Sequence, residues 1–271
     1  MSVKSKLELE TLSLKEYADG ISILTISRPE RMNSMTIKMF EELASVAYEI
    51  RDTDTRAMII TGEGDRAFCA GFDLDEIGVI AEMGVRDFLK FQELATGAVA
   101  SLRHLPFPVI AAVNGAASGG GLSLALAADM RLASPNAKFN AAFVRVGLSV
   151  GELGTSWQLT RLVGPGRAAE IAFTARNVGA DEARRIGLVN RVVASDQLVQ
   201  EARSLATLIM CNSPSGVRMS KRALQRNMEV PSYAGALELE NRGQALLTRG
   251  EDMPEALSAF REKRQAVFTG K

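Results

Sequence analysis

Branched apolar and small polar side chains alternate over residues 21–27 (Ile-Ser-Ile-Leu-Thr-Ile-Ser), a period of two that predicts a strand. The pattern changes after Asn33-Ser34-Met35-Thr36, whose short polar side chains suit a helix cap. Beyond it Ile37, Phe40, Leu43, Ala44, Ala47 and Ile50 fall on one helical face. A second strand is predicted from Ala57 to Thr61, stopped by Gly62. Val109-Ile110-Ala111-Ala112-Val113 is apolar throughout, as a strand covered on both faces requires, and Met130 to Ala133 supplies a fourth. Strands alternating with helices predict α/β architecture over the first two-thirds. From about Ser195 the spacing is helical: Leu198, Val199, Ala202, Leu205, Ala206 and Ile209 repeat on one face. Pro214, Pro231 and Pro254 each stand where a further helix could begin. The chain thus divides into an α/β core over residues 1–194 and an all-helical module over 195–271, with no repeat or long linker.

Composition narrows the function. The 271 residues carry 32 Lys+Arg and 32 Asp+Glu, a net charge of zero that argues against a protein held on nucleic acid by phosphate neutralisation. The apolar stretch near 109–130 is broken by Asn114, Ser118 and a glycine triplet, so it does not read as a membrane span. Two cysteines, Cys69 and Cys211, make neither a metal quartet nor a disulfide framework. The first ten residues lack the apolar run of a secretory signal. A soluble, cytoplasmic globular protein is expected. His104 is the one histidine, which excludes a His-rich metal site and leaves a Ser-His-Asp triad without a nucleophile elbow. No carboxylate cluster has ligand spacing, so no metal is expected.

Two glycine segments carry the candidate chemistry. In Pro108 to Asp129 a buried strand runs into Asn114-Gly115-Ala116-Ala117-Ser118-Gly119-Gly120-Gly121 and then into a Leu/Ala-rich helix. Glycines allow close approach of a ligand to the backbone, and the first N–H groups of a new helix have no partner within it. Such a terminus favours negative charge, including charge that develops during a reaction. A tight packing turn is the plainer alternative. The absence of Gly-Lys-Ser/Thr excludes a Walker A loop. The second segment, Gly62 to Ile77, matches part of a dinucleotide fingerprint, but Phe68-Cys69-Ala70-Gly71 interrupts any helix that would follow. Cys69 reads as a small packed residue, since nothing nearby would activate its thiol.

Taken together, Phe68-Cys69-Ala70-Gly71-Phe72-Asp73-Leu74 and Pro108 to Gly121 resemble the signatures of the enoyl-CoA hydratase/isomerase (crotonase) superfamily. The likeness extends from Arg28–Met35 through Leu162–Ala168 and Asp181–Val189 to Phe260–Arg264. It implies a spiral of ββα units with a C-terminal helical module that packs subunits into trimers or hexamers. It further implies that the backbone N–H groups of Phe72 and Gly120 form an oxyanion hole around an acyl-CoA thioester oxygen. Ala70, Asp73 and Leu74 would lie along the CoA moiety. Lys263 and Phe268 would meet its phosphates and adenine, Lys263 alternatively being a solvated helix charge. No cofactor is implied, because coenzyme A belongs to the substrate.

The chain departs from the family pattern where hydratases carry two glutamates, for those places hold Ser123 and Phe143. One carboxylate, Glu152, stands between glycines in the apolar run Val146 to Thr155, a loop where some members place a catalytic acid. Burial there would raise its pKa and suit it to accept and return a proton. Trp157 and Phe143 would help form the acyl pocket, and Ser123 or Ser118 could help hold a water. The expectation is an enoyl-CoA hydratase or double-bond isomerase with Glu152 as its single acid/base. A silent acyl-CoA-binding scaffold is the alternative. A likeness to 4-chlorobenzoyl-CoA dehalogenases ranks lower, since the acid is a glutamate at another spacing and His104 does not align with their histidine.

Overall fold

The computed structural model describes residues 2–4 and 7–271. In chain order its first elements are β1 (Ser2–Lys4), β2 (Leu12–Tyr17), β3 (Ile21–Ile26), α1 (Ile37–Ile50), β4 (Ala57–Gly62), β5 (Ala67–Cys69), α2 (Leu74–Ala81) and α3 (Val85–Arg103). The glycine triplet lies between β6 (Val109–Val113), β7 (Ala116–Ser118) and α4 (Gly120–Ala127). Then come β8 (Met130–Ala133), β9 (Lys138–Asn140), α5 (Thr155–Val163), α6 (Pro165–Thr174), β10 (Val178–Gly179), α7 (Ala180–Arg185) and β11 (Arg191–Val192). Four helices close the chain: α8 (Leu198–Met210), α9 (Pro214–Asn227), α10 (Tyr233–Leu247) and α11 (Asp252–Glu262).

Two sheets result, one of seven strands in the order β1-β2-β3-β4-β6-β8-β11 and one of four in the order β10-β9-β7-β5. The strands β4, β6 and β8 run parallel in the large sheet, and each is followed by a short strand of the small one, β5, β7 and β9. This is the expected ββα spiral. The four predicted strands and α1 stand where the periodicity put them, and Thr36 caps α1 by accepting the Met39 N–H at 3.1 Å. The small sheet was not foreseen, because two- and three-residue strands leave no measurable period. Pro214 opens α9, whereas Ser232 rather than Pro231 caps α10, and Pro254 lies within the first turn of α11.

The all-apolar strands are explained by cover on both faces. Ile21, Ile23, Ile59, Ile110 and Leu132 pack against Leu198, Ala202 and Ala206 of α8. The alternate residues Leu24, Ile26, Ile60, Ala111 and Val113 face the main core with α1, α3 and α4. Helix α9 is tied down by Lys221, whose buried ammonium pairs with Asp129 at 2.7 Å and donates to the Phe107 carbonyl at 2.9 Å.

The start of α2 is fixed by a buried carboxylate. Asp73 is 3% exposed and accepts from Arg28 Nη1 at 3.0 Å, Arg31 Nη2 at 2.9 Å, Ser34 Oγ at 2.9 Å and the Asp75 N–H at 3.1 Å. The Arg31 guanidinium above all holds this carboxyl well below the usual carboxylate range, with Ser34, the Asp75 amide and Arg28 adding to it against the cost of burial. Asp73→Ala is expected to lower unfolding free energy by about 2 kcal/mol, because Arg28, Arg31, Ser34 and the Asp75 N–H lose a shared buried acceptor, while Arg31 keeps Asp75 and Arg28 keeps Ser34. Since the folded pKa lies below the unfolded one, this contribution is complete at neutral pH and fades as pH falls below about 4. Denaturation curves of wild type and variant should therefore diverge at neutral pH and draw together in acid.

Candidate active site

The site is built by three backbone segments pressed together. Gly71 has φ of +101°, and a Cβ there would lie 2.9 Å from the Ser118 carbonyl oxygen and 3.8 Å from the Gly120 nitrogen. A Cβ on Gly121 would lie 1.9 Å from the Cys69 carbonyl oxygen, so no side chain fits. The two glycine segments, distant in sequence, are thus in backbone contact. Met35 supplies the third segment: its N–H donates to the Gly71 carbonyl at 2.7 Å, and its carbonyl accepts the Asp73 N–H at 2.8 Å.

These bonds decide where two other N–H groups point. In a trans peptide the C=O and N–H lie on opposite sides. Holding the Gly71 carbonyl toward Met35 therefore turns the Phe72 N–H away from it. Likewise the Gly119 carbonyl accepts the Ser123 N–H at 3.1 Å along the axis of α4, so the Gly120 N–H points out of the helix start. The Gly119 N–H is spent on Asn140 O at 3.0 Å. Neither the Phe72 nor the Gly120 N–H has an acceptor among the described residues.

Apolar side chains surround these donors. The Phe72 ring is 5.6 Å from Phe91 and 6.1 Å from Phe40, centroid to centroid, which anchors its backbone to α1 and α3. A Cβ at Gly120 would lie 3.0 Å from Met35 Sδ and 3.6 Å from Leu153 Cδ1, while one at Gly119 would lie 3.9 Å from Phe143 Cε1. Phe143 and Leu153 therefore flank the glycine turn.

Leu153 brings its neighbour Glu152 close to the same turn. Glu152 is half-buried in a tight loop where Leu153 and Gly154 both have positive φ, +48° and +77°. Burial pushes its carboxyl above the usual glutamate value, a rise limited by donation from Gln92 and from the Leu153 N–H. Gln92 Nε2 reaches Oε2 from α3 at 3.3 Å. A carboxyl raised in this way is suited to accept and return a proton.

Other expected residues stand elsewhere. Asp73 has its carboxylate committed to the clamp described above, so it fixes the turn from behind. Ala70 is half-buried and gives its N–H to Met32 O at 3.1 Å, Leu74 is exposed, and Ser118 is half-buried at the turn. Ser123 is buried against Thr155. Trp157 is stacked by the guanidiniums of Arg161 at 3.8 Å and Arg103 at 5.3 Å, a cationic setting rather than the apolar wall expected of it. Lys263 is exposed at the end of α11, and Phe268 lines a groove with Met219, Leu247 and Met253 in the helical module. The Cys69 thiol is pushed up to about 12 by burial, which removes it as a nucleophile. Among the described residues no cluster of three or more His, Cys, Asp or Glu could hold a metal. Sequence reasoning missed Met35, Gln92, Leu153 and Thr155. Gln92 sits mid-helix with no motif around it, and Met35 acts through its backbone.

Comparison with known proteins agrees with this architecture. The model of the enoyl-CoA hydratase/isomerase family matches residues 16–271. The short-chain-enoyl-CoA hydratase of Clostridium acetobutylicum is 40% identical over 261 residues, covering 96% of this chain and 97% of that protein. The crotonyl-CoA hydratase of Syntrophomonas wolfei is 36% identical over 257 residues, covering 94% and 97%. The crystal structure of an enoyl-CoA hydratase from Bacillus anthracis superposes with a TM-score of 0.90 at 33% identity, covering 97% of this chain and 100% of that one. With a family match over nearly its whole length and the paired glycine turns in contact, the chain belongs to the enoyl-CoA hydratase/isomerase family.

Proposed function

We propose that this chain turns over enoyl-CoA thioesters, with the Phe72 and Gly120 N–H groups receiving the thioester oxygen and Glu152 moving the proton. The observation that carries this reading is the pair of N–H groups left without acceptors on two turns in contact. Loss of a proton beside a thioester carbonyl generates an enolate, and fixed donors hold that charge without reorganising water. One such donor is worth on the order of 3 kcal/mol in the barrier. CoA arrives with the substrate, so the chemistry calls for no separate cofactor.

One carboxylate near the glycine turn favours a 1,3-proton shift. Glu152 takes a proton from C2 of a 3-enoyl-CoA; the electron pair delocalises through the thioester enolate, and the proton returns at C4 to leave a 2-enoyl-CoA. The glutamates that would share a water in hydration are replaced by Ser123 and Phe143, both buried. Hydration is the second reading, supported by the names of the relatives. There Glu152 alone would deprotonate the water that adds to C3, and C2 would take up a proton.

We further propose that residues 195–271 serve self-association. Helix α8 seals the core, whereas α9 to α11 present exposed apolar side chains, among them Tyr233 at 79% and Phe260 at 84%. A trimer or hexamer would cover them, and Lys263 and Phe268 would then be free to meet CoA on a neighbouring subunit. No helix among the described residues is long and apolar enough to cross a membrane. The two free thiols, Cys69 and Cys211, fit a reducing cytoplasm.

Kinetic, stability and light-scattering measurements test these proposals. Glu152→Gln should lower turnover of 3-enoyl-CoA or crotonyl-CoA by about 10²–10⁴-fold, and the faster wild-type substrate decides between the reactions. Tight binding with no turnover of either would make the chain a silent binder. The acidic limb of the kcat/KM profile should lie above the ordinary glutamate pKa. Because the folded-state pKa is raised, the charged form is disfavoured on folding, so Glu152→Gln should also be more stable than wild type at neutral pH. Light scattering should give a trimeric or hexameric mass, and a monomer would overturn the self-association reading.

A further inference from the structure

Ser123 and Thr155 place their hydroxyl oxygens 2.5 Å apart, and the two residues are 1% and 0% exposed. They come from different elements, Ser123 from α4 and Thr155 from the first residue of α5. Ser123 Oγ also donates to the Gly119 carbonyl at 3.3 Å. A hydroxyl has one proton to give, and Thr155 Oγ1 has no other acceptor among the described residues, so the arrangement that uses both protons has Thr155 donating to Ser123. The hydroxyls therefore form a directed chain: Thr155 donates to Ser123, and Ser123 donates to Gly119 O. That carbonyl belongs to the same peptide unit as the Gly120 N–H. A serine bonding back to the carbonyl four residues earlier is common in helices and alone would mean little. Here a second buried hydroxyl from another helix fixes its rotamer.

We propose that Ser123 and Thr155 are positioning residues that hold the Gly119–Gly120 peptide and strengthen the Gly120 N–H as a donor to the substrate's thioester oxygen. This rests on the oxyanion role given above to Phe72 and Gly120. The Gly119 carbonyl accepts both the Ser123 N–H, at 3.1 Å, and the Ser123 hydroxyl, so the peptide cannot rotate without losing both. Donation to a peptide carbonyl also polarises its N–H, a cooperative gain that is larger in a dry site. Thr155 ties this to the proton-transfer side, because its own N–H donates to the Glu152 carbonyl at 2.8 Å. Ser123 is thereby assigned a place behind the peptide. It does not hold a water for hydration, since its proton is committed and its side chain is buried.

The test reads the carbonyl directly. Vibrational difference spectra of a bound enoyl-CoA, isotopically labelled at the thioester carbon, report how strongly the carbonyl is polarised. Wild type is expected to lower the C=O stretch relative to free substrate. Ser123→Ala should lose part of that lowering and cost roughly three- to tenfold in kcat, the worth of one hydrogen bond, with KM within about twofold. Thr155→Val should act in the same direction, and Thr155→Ser, which keeps the hydroxyl, should restore both readouts. If Ser123→Ala does not fold, Thr155→Val against Thr155→Ser decides by the same spectra. A full carbonyl shift and unchanged kcat in the hydroxyl-deleted variants would overturn the positioning role while leaving the oxyanion reading intact. No shift in wild type would overturn that reading, and the proposal with it.

Discussion

A backbone N–H that is kept from its own chain's acceptors must be held there, because a peptide free to turn will find a carbonyl or a water. The architecture of this protein is organised around holding two such groups. Neither could be held by its own segment, since Phe72 lies in an irregular turn and Gly120 at a helix start. What fixes them is the contact between their turns, which is closer than any side chain permits at Gly121 and is reinforced by Met35 bonding on both sides of Phe72. The parallel neighbours β4 and β6 deliver both turns to the carboxyl end of the large sheet, where the three-residue strands β5 and β7 of the small sheet pair before each turn.

Buried polar groups reinforce this arrangement from outside. Asp73 draws Arg28, Arg31 and Ser34 onto the residue that follows Phe72. At the opposite end of α4, the buried Arg131 donates to the carbonyls of Ala128 at 2.7 Å and Leu188 at 2.8 Å. Burial pulls its pKa to about 10, still well above neutrality, so it remains a cation at the negative end of the helix dipole. Helix α4 therefore has its carbonyl end neutralised within the protein, while the Gly120 N–H at its amide end has no acceptor among the described residues. Asn33 and Asn114 both donate to Ala67 O, at 2.8 and 3.1 Å, and so rivet the loop between β4 and β5.

The large elements were legible because their physics is periodic. Two-faced burial forces the unbroken apolar run of Val109 to Val113, and one-sided burial forces the spacing from Ile37 to Ile50. The glycine turns were legible as well, because clusters of glycine mark places where backbone meets backbone. Side-chain commitments were not. Asp73 sits in a motif beside the expected ligand, yet its partners Arg28 and Arg31 lie more than forty residues earlier, and no local pattern reveals that its charge is already satisfied. Trp157 read as a pocket wall because tryptophan is large and apolar, while Arg103, which shares its ring with Arg161, comes from another helix. Gln92 has no signal at all, for a lone amide on an amphipathic helix looks like surface.

The loss of the glutamate pair then has a physical counterpart within the fold. A carboxylate at position 123 would stand where the side chain is now 1% exposed and in contact with Thr155, and such a charge would need solvent or a partner to persist. Phe143 occupies the other place, with its ring edge 3.9 Å from where a Cβ on Gly119 would lie. Where the hydratase pattern has two glutamates, this chain holds a buried pair of hydroxyls and a buried aromatic ring. Glu152, which is neither of that pair, lies on a loop bent by two successive left-handed residues and is steadied by Gln92 of α3. On the reading proposed above, a single carboxyl beside this turn suits moving a proton along a substrate better than sharing a water between two acids.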